Sequence, residues 1–452
     1  MESLPALHPQ TQVSADSLVA APLHSASLAT AELAGVPYAV RSGRRITGLR
    51  PAFPSALLIL SRNEGGTWRD IAWVDDTPES ELGDVTLAAQ ANQLKLTYRL
   101  RTSEGKVLEK GVQVSPEALA VPTPSAPWTA LPDFPQPPGV AGLIAGVHQG
   151  VLIAAGGANF PDRMPWEGGV KQYYDRIYVL RPGDKAWSPA GTLPTPRGYS
   201  AVVSLPNGVL VIGGENGPTL LSDVLLLQWT GSGVAIRQAA ALPVPLTSGA
   251  AVVANGRVYL AGGYAPGEFR TSRSEFWSLD LEDPNARWQS LPSWPGPPRA
   301  MATIAALRGS IYLLSGLEVK AGTDGKAQST YLVDAYRYDR DETWTRLPDL
   351  PWSTIAAPSP APVDPVSGRI FVLGGVDGRQ VGKMPREAQV PEDILAYDAP
   401  TGAWHLWPQR WPQAVVTTPT FAQGNRWYFI SGEIKAGVRT TAAWSWQLRA
   451  EP

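Results

Sequence analysis

Short apolar runs that each end in a pair of small residues occur six times in the second part of the chain. Behind the pairs lie further runs of alternating aliphatic or aromatic residues, as in Asp175–Leu180, Asp334–Tyr338 and Asp393–Tyr397. Such alternation predicts β-strands, and a period of roughly 50 residues predicts a chain of repeated small sheets. The six pairs are Gly156-Gly157, Gly213-Gly214, Gly262-Gly263, Ser315-Gly316, Gly374-Gly375 and Ser431-Gly432.

A tryptophan followed by a Leu-Pro or Trp-Pro step closes most of the repeats, although the third keeps only Leu242-Pro243. Trp128–Leu131 precedes the first glycine pair, whereas the last repeat ends after Leu448 without such a segment. We therefore expect Trp128–Leu131 to complete the last sheet, which would seal a ring and remove its open edges. The tryptophans that we expect in the cores of the sheets are Trp187, Trp288, Trp344 and Trp404.

The residues before the repeats have a different pattern. Residues 1–25 lack periodicity and are predicted to be a flexible leader. Residues 26–120 hold alternating segments separated by Gly- and Asn-containing turns, which predicts a small β-sandwich of unknown role. Residues 121–127 are a Pro-rich stretch, predicted to be a stiff linker to the repeats at 128–450. The alternating segments are Ala56–Leu60, Trp68–Val74, Val85–Ala89, Leu94–Leu100 and Val107–Val114.

The composition agrees with an all-β chain and excludes several kinds of site. Among 452 residues there are 44 Gly, 44 Pro and 17 Trp, which favours short strands joined by tight turns. The net charge of −2 gives no electrostatic reason to expect nucleic acid or a membrane surface as partner. The absence of cysteine excludes disulfides, zinc–thiolate sites and cysteine nucleophiles. The four histidines are scattered, so we predict neither a metal nor a cofactor.

The start of the chain does not decide the compartment. Met1–Pro5 has neither a basic n-region nor an apolar h-region. A cytoplasmic protein fits, and so does a mature chain whose signal peptide was replaced by Met1. No run approaches the ~18 apolar residues of a membrane helix, so we predict no membrane insertion. The oligomeric state stays open.

One loop of the last repeat carries a carboxylate and a guanidinium at its two ends. The apolar run Trp427–Ile430 stops at Ser431-Gly432, Glu433 follows at once, and Arg439 comes later in the same loop. A strand–loop–strand unit of this shape holds both side chains where one ligand could touch them. We predict that Glu433 and Arg439 form the centre of the site.

The glycine pair and the tryptophan at fixed places in each period resemble the kelch repeat, in which one copy forms a four-stranded blade of a β-propeller. The resemblance covers residues 128–450 in six copies. It implies a six-bladed kelch-type β-propeller. Together with the small β-rich, sandwich-like N-terminal domain that the alternation predicts, the chain is expected to be all-β.

Further candidates lie on the loops that leave the inner strands of such a propeller, where ligands bind. The loop at 158–174 combines Trp166, Tyr173 and Tyr174 with charged residues, which is typical of sugar sites. Two arginines follow Pro-rich turns and could either bind a ligand or tie loop carbonyls together. The predicted substrate-binding residues are Arg197, Arg299, Glu215, Glu167, Asn159 and Tyr199.

Several motifs together resemble the N-acetylneuraminate epimerase (sialic acid mutarotase) family in a cyclically permuted form. The most specific is Ser431–Thr440, which aligns Glu433 and Arg439 with the family's proposed catalytic pair. In the permuted form that blade comes last, as it does here, whereas the N-terminal unit before residue 120 is outside the core pattern. The other motifs are Gly156–Asp162, Trp166–Gly169, Arg197–Tyr199 and Ile212–Glu215.

The resemblance implies an isomerase, independent of metal or cofactor, that interconverts the α and β anomers of N-acetylneuraminate or a derivative. It implies Glu433 as general acid/base and Arg439 as the clamp on the sugar's carboxylate. It also implies a periplasmic or secreted setting, with a cytoplasmic one still open. Which sialic acid is preferred does not follow from it.

Three other functions are alternatives for a chain with these repeats and motifs. A non-catalytic kelch propeller that binds a glycan or a protein partner fits the same repeats. A galactose-oxidase-like enzyme is excluded, because that family's Tyr–Cys cofactor requires a cysteine. A sialidase is suggested by Ser61–Trp68, which resembles one Asp-box with Asn63 in place of Asp, but a hairpin turn with a packed Trp68 is the simpler interpretation.

Overall fold

The computed structural model describes the chain as two compact β-rich units, residues 1–123 with 393–409 and residues 124–392 with 410–452. The predicted leader and linker lie outside the described residues. Within the described ranges, no helix is long and apolar enough to cross a membrane. The described residues are 29–43, 55–64, 67–78, 80–91, 93–102, 105–114, 128–266, 270–323, 325–378, 390–400, 402–407 and 409–448.

The described residues of the N-terminal part form seven antiparallel strands: β1 (Ala29–Leu33), β2 (Val36–Gly43), β3 (Ser55–Glu64), β4 (Thr67–Pro78), β5 (Ser80–Gln90), β6 (Gln93–Thr102) and β7 (Val107–Val114). They form the sheets β1-β2-β3-β4 and β5-β6-β7. Val40 and Leu60 of the first sheet share one buried cluster with Leu96 and Tyr98 of the second. The alternation therefore predicted the sandwich-like arrangement correctly. Asn63 pairs with Trp68 across the β3–β4 hairpin, as the hairpin interpretation requires.

Among the described residues, the repeats contain thirty strands and a 3₁₀ turn, Pro165–Glu167. The first thirteen are β8 (Trp128–Leu131), β9 (Ile144–His148), β10 (Val151–Ala155), β11 (Ala158–Asn159), β12 (Gln172–Tyr173), β13 (Arg176–Leu180), β14 (Ser188–Thr192), β15 (Ala201–Leu205), β16 (Gly208–Ile212), β17 (Glu215–Asn216), β18 (Thr219–Leu220), β19 (Val224–Trp229) and β20 (Val234–Ala239). The remainder are β21 (Ala250–Ala254), β22 (Arg257–Ala261), β23 (Phe276–Asp280), β24 (Gln289–Leu291), β25 (Thr303–Leu307), β26 (Ser310–Ala321), β27 (Ala327–Tyr338), β28 (Trp344–Leu347), β29 (Val363–Asp364), β30 (Arg369–Leu373), β31 (Ile394–Asp398), β32 (Ala403–Leu406), β33 (Thr420–Gln423), β34 (Arg426–Ile430), β35 (Glu433–Lys435), β36 (Val438–Arg439) and β37 (Ala443–Gln447).

Where the structure describes the second unit, five four-stranded antiparallel sheets repeat along it. In the last of them β8 pairs with β37, with Trp128 opposite Trp446 and Leu131 opposite Ala443. This confirms that Trp128–Leu131 completes the last sheet. The hairpin β29–β30 belongs to the second unit and the hairpin β31–β32 to the first. The five sheets are β9-β10-β13-β14, β15-β16-β19-β20, β21-β22-β23-β24, β25-β26-β27-β28 and β33-β34-β37-β8.

A closed ring of six backbone hydrogen bonds joins the segments that lead into the inner strands of the second unit. Each ring residue donates its N–H to the carbonyl of the previous one, and the first, Gly142, donates to the last, Thr417. All six have a left-handed backbone, which is uncommon for the five that are not glycine. Because the chain of donors returns to its start, six repeats surround one axis, as in a kelch propeller; six complete blades stay a prediction. The ring residues are Gly142, Tyr199, Ser248, Met301, Ala356 and Thr417.

The recurring tryptophans tie neighbouring repeats together. The indole N–H of Trp187 donates to the carbonyl of Pro132, that of Trp288 to Ala240, and that of Trp344 to Pro292. Each acceptor lies in the segment that precedes the tryptophan's own repeat. Trp187, Trp288 and Trp404 are buried as predicted, whereas Trp344 is half-buried and packs on neighbouring rings.

Candidate functional site

The residues that follow the glycine pairs form one layer beside the ring. Each pairs with the residue just before a ring residue, as Glu215 does with Gly198 and Glu433 with Val416. The register of the repeats thus places six residues at equivalent positions around the axis: Ala158, Glu215, Tyr264, Leu317, Val376 and Glu433. We call this layer, together with the loops 159–174 and 433–439 and residue Arg270, the mouth.

Glu433 and Arg439 face each other across the hairpin formed by β35 and β36. Arg439 Nη2 lies 3.1 Å from Glu433 Oε2, and the side chains are 3% and 16% exposed respectively. The other carboxylate oxygen, Oε1, accepts the N–H of Gly437 at 2.9 Å. The hairpin therefore brings together the two residues that the sequence placed at the ends of one loop.

Arg439 keeps two donors without an acceptor. Its Nε and Nη1 atoms are buried and have no hydrogen-bond partner among the described residues. The guanidinium lies 5.2 Å from the ring centre of Phe160, so part of its surface is covered by an aromatic ring. Buried donors without partners are costly in a folded protein. They are therefore suited to an acceptor that arrives with a ligand.

The long loop of the first repeat packs against this hairpin. A β-carbon at Gly437 would lie 2.9 Å from Trp166 and 3.0 Å from Pro165, so only a glycine fits the turn at this approach. Glu167 is exposed, and its carboxylate accepts the N–H of Met164, which caps the 3₁₀ turn. This geometry favours a structural role for Glu167, while Trp166 stays half-exposed beside the hairpin.

Asn159 fixes the base of the same loop. It is fully buried, its amide N–H donates to the carbonyl of Gly139 at 2.8 Å, and its amide oxygen accepts the hydroxyl of Tyr174 at 2.8 Å. Both ends of the amide are engaged within the protein. Asn159 therefore positions the loop that carries Phe160 and Lys171.

Glu215 holds two other residues of the mouth. Its carboxylate accepts the Tyr173 hydroxyl at 2.5 Å and pairs with Arg270 at 2.6 Å. Burial raises the pKa of the Tyr173 hydroxyl, and the bond to Glu215 raises it further, so Tyr173 stays a neutral donor. Sequence reasoning missed Arg270, because it comes from the next repeat and follows no recurring motif.

Lys171 lies among three aromatic rings of the mouth. Its ammonium is 4.8 Å from the ring centre of Tyr199 and 5.9 Å from those of Phe160 and Tyr173. It also lies 3.3 Å from the Tyr199 hydroxyl. Tyr199, predicted to bind substrate, is a member of the backbone ring and contacts the mouth through Lys171.

Arg197 and Arg299 are placed in the interior rather than at the mouth. Both are fully buried. Arg197 binds both carboxylate oxygens of Asp223, at 3.0 and 2.7 Å. Arg299 pairs with Asp334 at 2.7 Å and donates to the carbonyl of Ser315. Arg197 and the two Nη atoms of Arg299 are thus engaged, while Nε of Arg299 is buried without a partner among the described residues. Because both side chains are fully buried and paired with aspartates, the geometry favours structural ion pairs over the predicted contacts with substrate.

Within the described ranges, no three His, Asp or Glu side chains lie close enough to hold a metal ion. The ionisable groups described above for the mouth are carboxylates, cations and phenols.

A sequence profile of the family described as N-acetylneuraminate epimerase matches residues 113–236 and 239–388. The match covers more than half of the chain. The chain belongs to the N-acetylneuraminate epimerase family. The matched residues include the loop with Asn159 and Lys171 and the carboxylate of Glu215, whereas the hairpin with Glu433 and Arg439 lies beyond residue 388.

Curated relatives of the N-acetylneuraminate epimerase family match at modest identity. The Haemophilus influenzae protein of that name is 28% identical over 227 residues, covering 44% of this chain and 56% of the relative. The Vibrio cholerae protein is 33% identical over 153 residues, covering 30% and 36%. A Danio rerio kelch repeat and BTB domain-containing protein is 30% identical over 223 residues, covering 46% and 34%. The chain spans about half the length, or less, of these relatives.

Proposed function

We propose that this chain is a cofactor-independent sialic acid mutarotase, which interconverts the α and β anomers of N-acetylneuraminate or a derivative. Membership of the epimerase family supports the substrate class and the type of reaction. The epimerases of Haemophilus and Vibrio carry the name of the same sugar. A periplasmic or secreted setting, which the resemblance implies, is part of the proposal.

The observation that carries the proposal is that Arg439 has buried N–H donors without a hydrogen-bond acceptor among the described residues. One of its N–H groups is bound to Glu433, while Nε and Nη1 are buried and unpaired among the described residues. A sugar acid brings a carboxylate, which accepts charge-assisted hydrogen bonds from a guanidinium. Arg439 would then hold the carboxylate, with the anomeric carbon one bond away and close to Glu433.

In this reaction Glu433 acts as general acid and base. Its carboxylate takes the proton of the anomeric hydroxyl and delivers it to the ring oxygen as the bond between that oxygen and the anomeric carbon breaks. The resulting open-chain ketone rotates, and the reverse steps close the ring on its other face. Proton transfer by a positioned carboxylate typically contributes ~10²–10⁴ in rate. The N–H of Gly437 and the guanidinium of Arg439 hold the carboxylate in place for it.

The test is proton NMR of freshly released α-N-acetylneuraminate, following its conversion to the β anomer. The decay is recorded with the protein, with buffer alone and with heat-denatured protein. Acceleration by the folded protein alone is the expected result. A decay equal to that in buffer would overturn the proposal. The alternative, a non-catalytic kelch propeller that binds a glycan or a protein partner, would then be tested by glycan arrays and protein pull-downs.

A further inference from the structure

Three ion pairs neutralise charged side chains at or beside the mouth. Arg439 pairs with Glu433 at 3.1 Å and Arg270 with Glu215 at 2.6 Å. In the fourth repeat, Glu318 follows the layer residue Leu317 and pairs with Lys320 at 3.3 Å. Each of these pairs has a net charge near zero, so none of them alone gives the mouth a lasting positive potential.

Lys171 differs from these cations. It is half-buried, and its contacts within the described structure are three aromatic rings and one phenol oxygen, with no carboxylate. Aromatic faces attract an ammonium group through their quadrupole, but they do not cancel its charge. The positive charge of Lys171 is therefore held in place without being neutralised.

The position of Lys171 couples it to the Glu433–Arg439 hairpin. The ring of Phe160 contacts the ammonium of Lys171 and also the guanidinium of Arg439. Asn159, next to Phe160, is locked by its two hydrogen bonds. The ammonium of Lys171 is thus held at a fixed position in the mouth and is partly shielded from water. In such surroundings the electrostatic field of a charge acts over a longer range than at an open surface.

We propose that Lys171 is a specificity-determining residue that makes the mouth select a sugar acid over the corresponding neutral sugar. The inference rests on the proposed function for the identity of the sugar. Arg439 supplies directional donors, but its charge is offset by Glu433. Lys171 supplies a charge that no carboxylate contacts among the described residues, and it acts through the field without requiring direct contact with the carboxylate of the sugar.

The experiment measures dissociation constants for N-acetylneuraminate and for its C1 carboxamide, the same sugar without charge, by calorimetry at low and high salt. The proteins are wild type, Lys171→Gln and Lys171→Arg. The control is Lys185→Gln, which removes the same charge from an exposed turn after β13, at the other end of the sheet. We expect Lys171→Gln to weaken binding of the acid about tenfold and to leave the carboxamide unchanged. Lys171→Arg should retain the preference, and so should Lys185→Gln.

Two results would overturn the inference. An equal loss for acid and carboxamide would mean that Lys171 only packs the wall, and an unchanged preference for the acid would mean that another group selects it. These readouts measure binding, so they are separate from the NMR assay of the reaction. Binding of the acid that depends on Lys171, without mutarotation, would overturn the proposed reaction alone. Mutarotation with an acid preference that ignores Lys171 would overturn this inference alone.

Discussion

Glu215 and Glu433 occupy equivalent positions in two repeats of one ring, and an arginine binds each carboxylate. The difference lies in what covers them. The side chain of Glu215 is 1% exposed beneath Tyr173 and Arg270, whereas that of Glu433 is 16% exposed. Under the proposed function, a sugar at the mouth would therefore reach Glu433, whereas Glu215 is covered by its two partners.

Tyr173 and Tyr264 are expected to stay protonated well above pH 10. Burial raises the pKa of both hydroxyls, to about 12 for Tyr264, and the carboxylate of Glu215 further opposes ionisation of Tyr173. In a spectrophotometric titration of phenolate, Tyr173→Phe and Tyr264→Phe should leave the absorbance at pH 10 unchanged. A phenolate absorbance at pH 10 that is lower in either variant than in the wild type would show that the substituted tyrosine ionises there, and would contradict the raised pKa.

Arg439→Lys should weaken binding of N-acetylneuraminate by roughly 10- to 100-fold, because a charged hydrogen bond contributes about 1.5–3 kcal/mol. A lysine keeps the charge but cannot place the two donors that are unpaired in Arg439. Calorimetric titration measures the effect. Arg257→Lys is the matched control, since Arg257 starts β22 at the end of that strand away from the glycine pair. An unchanged dissociation constant for Arg439→Lys would argue against the carboxylate clamp.

Arg299→Met should lower the free energy of unfolding by about 3–5 kcal/mol, because it leaves the carboxylate of Asp334 buried without its cation. It also removes a guanidinium that lies 5.3 Å from the ring centre of Trp294 and 5.2 Å from that of Tyr336. Urea denaturation measures the loss. At a temperature where the variant is folded, its affinity for the sugar acid should equal that of the wild type. A specific loss of affinity would restore the predicted role in binding.

His148 makes the second unit sensitive to acid. Its Nδ1 accepts the backbone N–H of Trp229 at 2.9 Å, and burial lowers the pKa of the imidazole below 6.5. The folded state therefore holds a neutral imidazole that the unfolded chain would protonate. The contribution of His148 to the free energy of unfolding is fully present above about pH 6.5 and is lost as the pH falls through the lowered pKa. His148→Gln, which keeps an acceptor, should reduce the drop in melting temperature between about pH 7.5 and pH 5. Equal drops in both proteins would refute the role of His148.

Residue patterns predicted the repeats and their register. The small-residue pairs marked the end of the second strand in five repeats, whereas Ser315-Gly316 lies inside β26 at a shift in its register. The early tryptophan segment was correctly expected to pair with the last strand, because the count of strand types left β8 unpartnered and β37 without a neighbour. The loop from Glu433 to Arg439 could also be predicted from local sequence, because a carboxylate and a guanidinium that flank a turn can meet across it.

Contacts between repeats could not be predicted in the same way. Arg270 reaches Glu215 from the next repeat, and Lys171 reaches Tyr199 across a repeat boundary. Such pairs depend on the angle between neighbouring sheets, which alternation along one strand does not encode. The ring of left-handed residues was also unforeseen, because its members have no residue type in common. Arg197 follows a Pro-rich turn like a loop residue, yet its side chain turns inward to Asp223.

The most direct measurement is the rate of anomer exchange of N-acetylneuraminate by NMR, with wild type, Glu433→Gln and Glu318→Gln at equal concentration. Glu318 is a matched control, because it is also a glutamate near the mouth and pairs with Lys320. Glu433→Gln removes the general acid and base but keeps the shape of the side chain. We expect it to lower the catalysed rate by about 10²–10⁴-fold, while Glu318→Gln keeps the wild-type rate. A Glu433→Gln protein that catalyses as fast as the wild type would contradict the account.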